Sequence, residues 1–589
     1  MCGIFALLNS DKIPITTINN EFLKGQGRGP EFSKLDNSYM KMTLGFHRLA
    51  INGLNNESNQ PLVIDDVVLI CNGEIYNYKQ LYKYMGVQPT TGSDCEVIIH
   101  LYIKYGIEQT LSMLDGVYAF ILYDNRINDS LNNKVYIARD PLGVRPLYYL
   151  KNNRQFEWFP LYGFASELKC LERFYNTNTI HYSIEQFKPG SYCVFNHGNL
   201  VDSNWELELE NVPFYIPTFS YSWRINNETE NILVDDMYSR VSSYLISAVN
   251  KRCLTTERPI ACLLSGGLDS SLIAALVNNF YNYNHLPNKL ETYSIGLEGS
   301  EDLKYARIVA DYLETNHTEI IVTEKEMFEA IPDVIKAIES YDTTSVRASI
   351  GNYLLGKYIA ANSQAKVIFN GDGSDELLGG YLYMNNCPDD IEFDKETRRL
   401  LKDIHLFDVL RSDKSISSHG LEPRTPFLDR SFVNTVLSIP AYFRNHKNIK
   451  TINDTYNIYD KNKLPYEGIE KFLLRFSFSE GNFADYNDRQ ILPSEILWRK
   501  KEAFSDGVSN RGRSLYQILQ EYIAIYMNVE EQTDIYKPSI ETEKKYYKKI
   551  FDKFYPLCDH IVPYFWMPKY TDATDPSART LAIYADSEK

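Results

Sequence analysis

Leu263-Leu264-Ser265-Gly266-Gly267-Leu268-Asp269-Ser270-Ser271 joins an apolar run at 260–264 to an amphipathic stretch at 270–278. That order predicts a short buried strand, a glycine turn and the first turn of a helix. Glycines let the backbone turn tightly, and unpaired N–H groups at a helix start favour an anion. Working outward, the apolar runs at 292–297 and 366–369 predict further strands. They alternate with helical patterns, as in parallel α/β units. Helices are expected over 232–252, over most of 327–361 and 395–436, and near 540–554. The strand at 366–369 runs into Asn370-Gly371-Asp372-Gly373-Ser374-Asp375-Glu376. As structure, this is a Gly/Asp turn before a helix. As chemistry, it brings carboxylates to a phosphate loop, and hard cations choose carboxylate oxygens.

The N-terminal third reads differently. Short β-type runs at 43–46, 67–71, 118–123, 135–138 and 192–195, with a helical stretch at 93–105, predict an α+β domain. Residues 212–227 hold Pro213, Pro217 and aromatics without periodicity, the pattern of a linker. The expected division is therefore a first domain at 1–210, a linker at 211–230 and an α/β domain with a C-terminal extension at 231–589. Across the 589 residues, 61 Lys and Arg stand against 77 Asp and Glu, a net charge of −16. That balance argues against nucleic acid as a partner. No apolar run approaches the roughly 18 residues of a membrane span, and the N-terminus lacks a basic leader. The nine cysteines show no zinc spacing and suit a reducing compartment, so a cytoplasmic location is expected.

Cys2 directly follows Met1. If Met1 is trimmed, Cys2 gains a free α-amine with a pKa near 8 beside its thiol, a nucleophile with its own base. Further punctuation comes from Gly27-Arg28-Gly29-Pro30, His47-Arg48-Leu49-Ala50-Ile51-Asn52, Asn72-Gly73-Glu74-Ile75-Tyr76-Asn77, Gly92-Ser93-Asp94-Cys95-Glu96 and Arg139-Asp140-Pro141-Leu142-Gly143-Val144-Arg145-Pro146. Singly these are turns and helix caps. With Cys2 they resemble the class II glutamine amidotransferases, which are N-terminal-nucleophile hydrolases with an αββα sandwich. The resemblance implies that Cys2 attacks the glutamine side-chain amide and that Asn72 and Gly73 stabilise the oxyanion, a role often worth about 3–4 kcal/mol. It implies that Arg48 clamps the α-carboxylate, that Glu74 and Asp94 receive the α-ammonium, and that Leu49, Ala50, Ile51 and Asn52 line the site. Gly27 departs from that family, which often has histidine there.

The Ser265–Ser270 string resembles the pyrophosphate loop of ATP pyrophosphatases, which differs from the G-x-x-x-x-G-K-[ST] loop. Together with the first domain, it is similar to the glutamine-hydrolysing asparagine synthetase family. The likeness runs through residues 339–349, 422–429, 498–508 and 575–579, with divergent stretches expected around 151–160, 212–230 and 384–396. It implies activation of aspartate by ATP as β-aspartyl-AMP, displacement of AMP by ammonia, and an apolar passage between the sites, because a neutral amine crosses apolar surroundings at lower cost than a charged one. It implies that Leu263, Ser265, Gly266, Gly267, Asp269, Ser270, Ile295, Asn370, Gly371 and Lys501 bind ATP. Asp269 and Asp375 would hold Mg2+, Glu339 and Arg347 would meet aspartate or the intermediate, with Arg347 also a candidate for phosphate contact, and Asp372 would be catalytic. Close relatives often have glutamate at position 372, and a shift of about 1 Å at a catalytic group matters, but activity is expected to survive. A homodimer is also implied. An amide-forming ligase acting on another acid, or a nucleotide-binding scaffold without turnover, stays open beside this reading.

Overall fold

Two-residue alternation in the N-terminal strands builds the first domain. In Gly3–Leu8, the side chains of Ile4, Ala6 and Leu8 enter one apolar core while Phe5 and Leu7 enter another. In Val67–Ile75, Val68 and Ile70 share the first of these cores, and Leu69 and Cys71 face a third. Strand geometry sends successive side chains to opposite faces, so both faces of each sheet are buried. The computed structural model describes residues 1–126, 133–153, 160–176, 182–198, 203–218, 230–456, 469–502, 507–509 and 512–581.

Two antiparallel sheets of six strands stack face to face. One runs in the order Tyr182–Gln186, Tyr148–Asn152, Tyr162–Ala165, Gly3–Leu8, Met42–Arg48, Phe32–Tyr39. The other runs Trp205–Pro213, Ser191–His197, Lys134–Arg139, Gly116–Asp124, Val67–Ile75, Leu62–Ile64. Helices Tyr78–Met85 and Val97–Met113 cover the second sheet, and Ile15–Leu23 packs outside the first. The expected sandwich with helices on both outer faces is present.

The second domain is built on a five-stranded parallel sheet in the order Asn316–Ile321, Glu291–Gly296, Ile260–Leu263, Val367–Phe369, Glu422–Arg424. The first strand in sequence, Ile260–Leu263, lies beside the fourth, Val367–Phe369, so chain order reverses between them. A crevice opens outside the carboxyl ends of strands at such a point. Helix Leu268–Tyr283 packs on one face and Ile331–Ile338 and Thr343–Asn362 on the other.

Residues 395–436, expected to be mainly helical, contain the strand Glu422–Arg424. Pro423 and the shortness of this segment hide it from pattern reading, and proline is tolerated there because the strand is an edge. Of the expected linker, Val212 and Pro213 close the strand Trp205–Pro213, and 219–227 lie outside the described residues. Residues 154–159 and 503–506, within two of the stretches singled out above, also lie outside them.

Candidate functional site

Antiparallel pairing sets the first site. Gly3 pairs with His47, which places Cys2 beside Arg48 at the strand ends. The Cys2 thiol donates to the Leu49 carbonyl at 3.7 Å, and the Cys2 carbonyl accepts from Arg28 Nε at 3.0 Å. Burial pushes the thiol pKa up. Met1 is itself buried, and its amine lies 3.9 Å from Glu422 Oε2 and is lowered to about 6, chiefly by burial. A free amine on Cys2 therefore requires removal of Met1.

Asn72 and Gly73 lie mid-strand. Asn72 Nδ2 donates to Ser166 Oγ at 3.4 Å, while its Oδ1 is buried without a hydrogen-bond partner. A Cβ on Gly73 would sit 2.6 Å from the Val117 carbonyl, so this position excludes a side chain. All the hydrogen bonds of the Arg48 guanidinium go to neutral amide oxygens: Asn55 O at 2.8 Å, Asn59 Oδ1 at 2.7 Å, Asn52 O at 3.4 Å, and Gly53 O. Its position is set while its charge remains available to a carboxylate ligand.

Glu74 and Asp94 meet at Asn52, whose amide nitrogen donates to Glu74 Oε2 at 2.7 Å and to Asp94 Oδ1 at 3.3 Å. Asp94 also accepts from the Ile75 N–H at 2.6 Å. Burial, and then the neighbouring Asp94, push Glu74 well above the usual carboxylate range, and burial lifts Asp94 to about 6. Two close, buried carboxylates resist joint ionisation, and an entering ammonium relieves them. The 49–52 loop is gripped by the second domain, since Arg258 Nε donates to Ala50 O at 2.8 Å and the Glu257 N–H to Ile51 O at 3.0 Å.

The second site lies at the crevice of the parallel sheet. One cavity is lined by Leu263, Ser265, Gly267, Asp269, Ser270, Ile295, Asn370, Gly371, Asp372, Asp375 and Lys501. Gly266, at φ +71°, turns the loop against helix Glu301–Leu313, where a Cβ would come within 2.5 Å of the Ala306 nitrogen. A Cβ on Gly371 would lie 2.8 Å from the Asp269 and Ser270 backbone, so the two loops touch through bare backbone. Ser265 and Ser270 hydroxyls hydrogen-bond at 2.9 Å.

Asp269 and Asp375 face one another across a buried lysine that pattern reading misses. Lys471 Nζ lies 2.5 Å from Asp269 Oδ2 and 2.6 Å from Asp375 Oδ1. Lys501 Nζ is 2.6 Å from Asp375 Oδ2 and 3.9 Å from Asp269 Oδ2. Burial alone would raise Asp375, but Lys471 and Lys501 hold it far below the usual range. Asp372 Oδ1 accepts from Arg411 Nη2 at 3.2 Å, and Arg411 also pairs with Asp408 at 2.8 Å. Arg411, Asp408, Glu376 and Tyr381 line the same cavity; sequence singled out neither Arg411 nor Asp408, and gave no role to Glu376 or Tyr381. Glu376 accepts from Tyr381 OH at 2.5 Å, and burial followed by Asp408 drives its pKa well up.

Two expected residues do not reach this cavity. Arg347 is buried in paired contacts with Glu543, at 2.8 and 2.5 Å, and Asp575, at 2.7 and 2.9 Å. These contacts tie the C-terminal segment to helix Thr343–Asn362. Glu339 is fully buried at the domain junction, where it pairs with Lys414 and accepts from the Leu168 and Lys169 N–H groups at 2.8 and 3.1 Å. With these contacts, Glu339 and Arg347 lie outside the lining of the crevice cavity.

The glutamine amidotransferase domain family matches residues 1–196, and the asparagine synthase family matches 240–391 and 385–563. A glutamine-hydrolysing asparagine synthetase of Gallus gallus is 40% identical over 598 residues, covering 99% of each chain. That of Homo sapiens is 37% identical over 608 residues, covering 100% of each. A solved NMN synthetase of Francisella tularensis is 13% identical and covers 57% of this chain and 98% of its own, but at a TM-score of 0.20 the overlap is too slight to bear on this chain. With both halves matched and full-length relatives at these identities, the chain belongs to the glutamine-hydrolysing asparagine synthetase family.

Proposed function

We infer that this protein makes asparagine from aspartate, using ATP for activation and glutamine as nitrogen donor. The observation that carries this is the coexistence of two complementary sites in one chain. Beside Cys2 lie a neutral-bonded Arg48 and a carboxylate pair, the counterparts of an amino acid's own two charges. At the crevice lie a glycine loop and a second carboxylate pair.

In the first half-reaction Cys2, freed of Met1, attacks the glutamine side-chain amide. Arg48 holds the α-carboxylate, Glu74 and Asp94 hold the α-ammonium, and Asn72 with Gly73 carries the oxyanion. Ammonia leaves, and water releases glutamate. In the second half-reaction the aspartate side-chain carboxylate attacks the α-phosphorus of ATP. Pyrophosphate departs, assisted by Lys471, Lys501 and the N–H groups of the Ser265–Ser270 loop, since phosphoryl transfer rests mainly on positioning and charge stabilisation. Ammonia then adds to the β-aspartyl-AMP carbonyl, loses a proton and expels AMP. Asp372, set by Arg411, serves one of these two steps.

Asp269 and Asp375, whose carboxylates both face a cation at Lys471, would hold Mg2+ together with phosphate oxygens, and the ion would neutralise charge on the departing pyrophosphate. The functional units are assigned as a glutamine-hydrolysing domain over 1–210 and a synthetase domain over 231–589, acting in the cytoplasm as a homodimer. Among the described residues, no helix is long and apolar enough to cross a membrane.

The test incubates purified protein with magnesium-ATP, glutamine and aspartate and quantifies asparagine, glutamate, AMP and pyrophosphate. The expected result is asparagine with equal AMP and pyrophosphate. Glutamate without asparagine would sink the aspartate reading and point to another acceptor acid. Nucleotide binding without any turnover would mark a scaffold.

A further inference from the structure

The ammonium side of the glutamine site contains a residue from the other domain. Arg424, buried at the end of edge strand Glu422–Arg424, places Nη2 3.3 Å from Glu74 Oε2. The same guanidinium donates to Glu422 Oε1 at 2.8 Å, to Thr255 O at 2.7 Å and to Arg252 O. Thr255 O also lies 3.5 Å from Asn52 Nδ2, the amide that bridges Glu74 and Asp94. On its backbone, the Arg424 carbonyl accepts from the Asn370 N–H at 3.1 Å. One residue therefore touches the carboxylate pair of the first site with its side chain and the nucleotide loop of the second with its main chain.

Charge counting explains why a fixed cation belongs there. Glu74, Asp94 and Glu422 together carry three negative charges when ionised, and Arg424 and Arg145 bring two positive charges beside them. The α-ammonium of glutamine supplies the third, and arginine is always protonated.

We propose that Arg424, supplied by the synthetase domain, is a positioning residue for glutamine: its ion pair holds the Glu74 carboxylate aimed at the α-ammonium. Through its contact with Asn370, it also makes glutamine affinity respond to occupancy of the nucleotide loop. This rests on the reading of Glu74 and Asp94 as the ammonium site. The groups facing Glu74 are Asp94, Glu422, Arg145, Tyr78 and Cys95, besides Arg424 itself. Among them Arg424 is the cation that bonds the carboxylate, and its loss moves Glu74 further toward the protonated form.

The experiment uses full-length R424Q and R424K, with glutamate release and ammonia-driven asparagine formation measured separately. In R424Q, KM for glutamine rises at least tenfold and the acid limb of kcat/KM for glutamate release moves to higher pH. Its kcat at saturating glutamine and its ammonia-driven synthesis stay within threefold of the unmutated protein. R424K recovers part of the KM. In the unmutated protein magnesium-ATP with aspartate shifts KM for glutamine, and in R424K that shift shrinks. An unchanged KM in R424Q overturns the proposal. So does a parallel fall of glutamine- and ammonia-driven activity in both variants, which marks Arg424 as purely structural. If the unmutated protein forms no asparagine from either nitrogen source, the functional reading fails instead, while glutamate release still tests Arg424.

Discussion

At Cys2 the half-buried thiol is raised in pKa and bonded to a carbonyl, and it has no free α-amine beside it while Met1 remains. Removal of Met1 turns the adjacent amine into a base. Cys2→Ala should therefore abolish glutamine-driven asparagine formation, by at least a thousandfold, and leave ammonia-driven formation within twofold; product quantification with each nitrogen source checks this. Asp372 is shorter than glutamate, but the bond from Arg411 places its carboxylate at the cavity wall. Asp372→Ala should lower asparagine formation at least a hundredfold with glutamate release intact. Unchanged asparagine formation would remove Asp372 from the chemistry. Protonation sets a further expectation. Asp94 stands near pKa 6 before glutamine binds, so lowering the pH through 6 protonates it and removes its attraction for the ammonium. KM for glutamine should climb below pH 6 and level off above about 7, as a series of glutaminase assays across that range would reveal.

Among the elements, helix Thr343–Asn362 does two jobs. Its N-terminal Thr344 and Ala348 line the nucleotide cavity, while Arg347 turns away to Glu543 of helix Ile540–Phe554 and to Asp575. Breaking a buried pair by removing one partner leaves uncompensated charge, typically costing about 3–5 kcal/mol. Arg347→Ala should accordingly lower the thermal midpoint and expose the C-terminal segment to proteolysis. A normal melting curve with a raised KM for ATP would return Arg347 to the phosphate site. The edge strand Glu422–Arg424 works on the same scale. It takes its register from Val367–Phe369, the strand that leads into Asn370, and presents Glu422 and Arg424 to the first domain.

Across the whole molecule, the two domains share a core. Leu49, Ile51, Tyr76, Val117, Leu142 and Val144 of the first pack in one cluster with Cys262, Leu264, Val367 and Phe369 of the second. Buried charges stitch the junction as well, with Arg28 paired to Asp413 at 2.7 Å and Lys414 to Glu167 at 3.6 Å. Ammonia passing through such a junction would be shielded from water. Labelled external ammonium should therefore enter asparagine poorly during glutamine-driven turnover, and mass spectrometry of the product checks this; full mixing would argue against a sealed route.

Local chemistry made much of this legible from the chain alone. Glycines at 266 and 371, the acids at 269 and 375, and the Cys2, Arg48, Asn72, Glu74 and Asp94 set occupy short segments whose residue types announce turns, charge and reactivity. Alternation and helical period then separated an antiparallel half from a parallel one. Lys471 and Arg411 were not legible, because a lone lysine or arginine in an unremarkable stretch has no pattern until the fold surrounds it with carboxylates, and Arg424, though within the 422–429 stretch of likeness, carried no sign of its partner Glu74. For the same reason sequence did not reveal that Arg347 pairs with Glu543 and Asp575, or Glu339 with Lys414. Sequence by itself determined which chemical groups this protein carries and how each segment folds locally. Tertiary structure alone decided which charges face a ligand and which face each other, since electrostatic partners are chosen by distance and burial rather than by position along the chain.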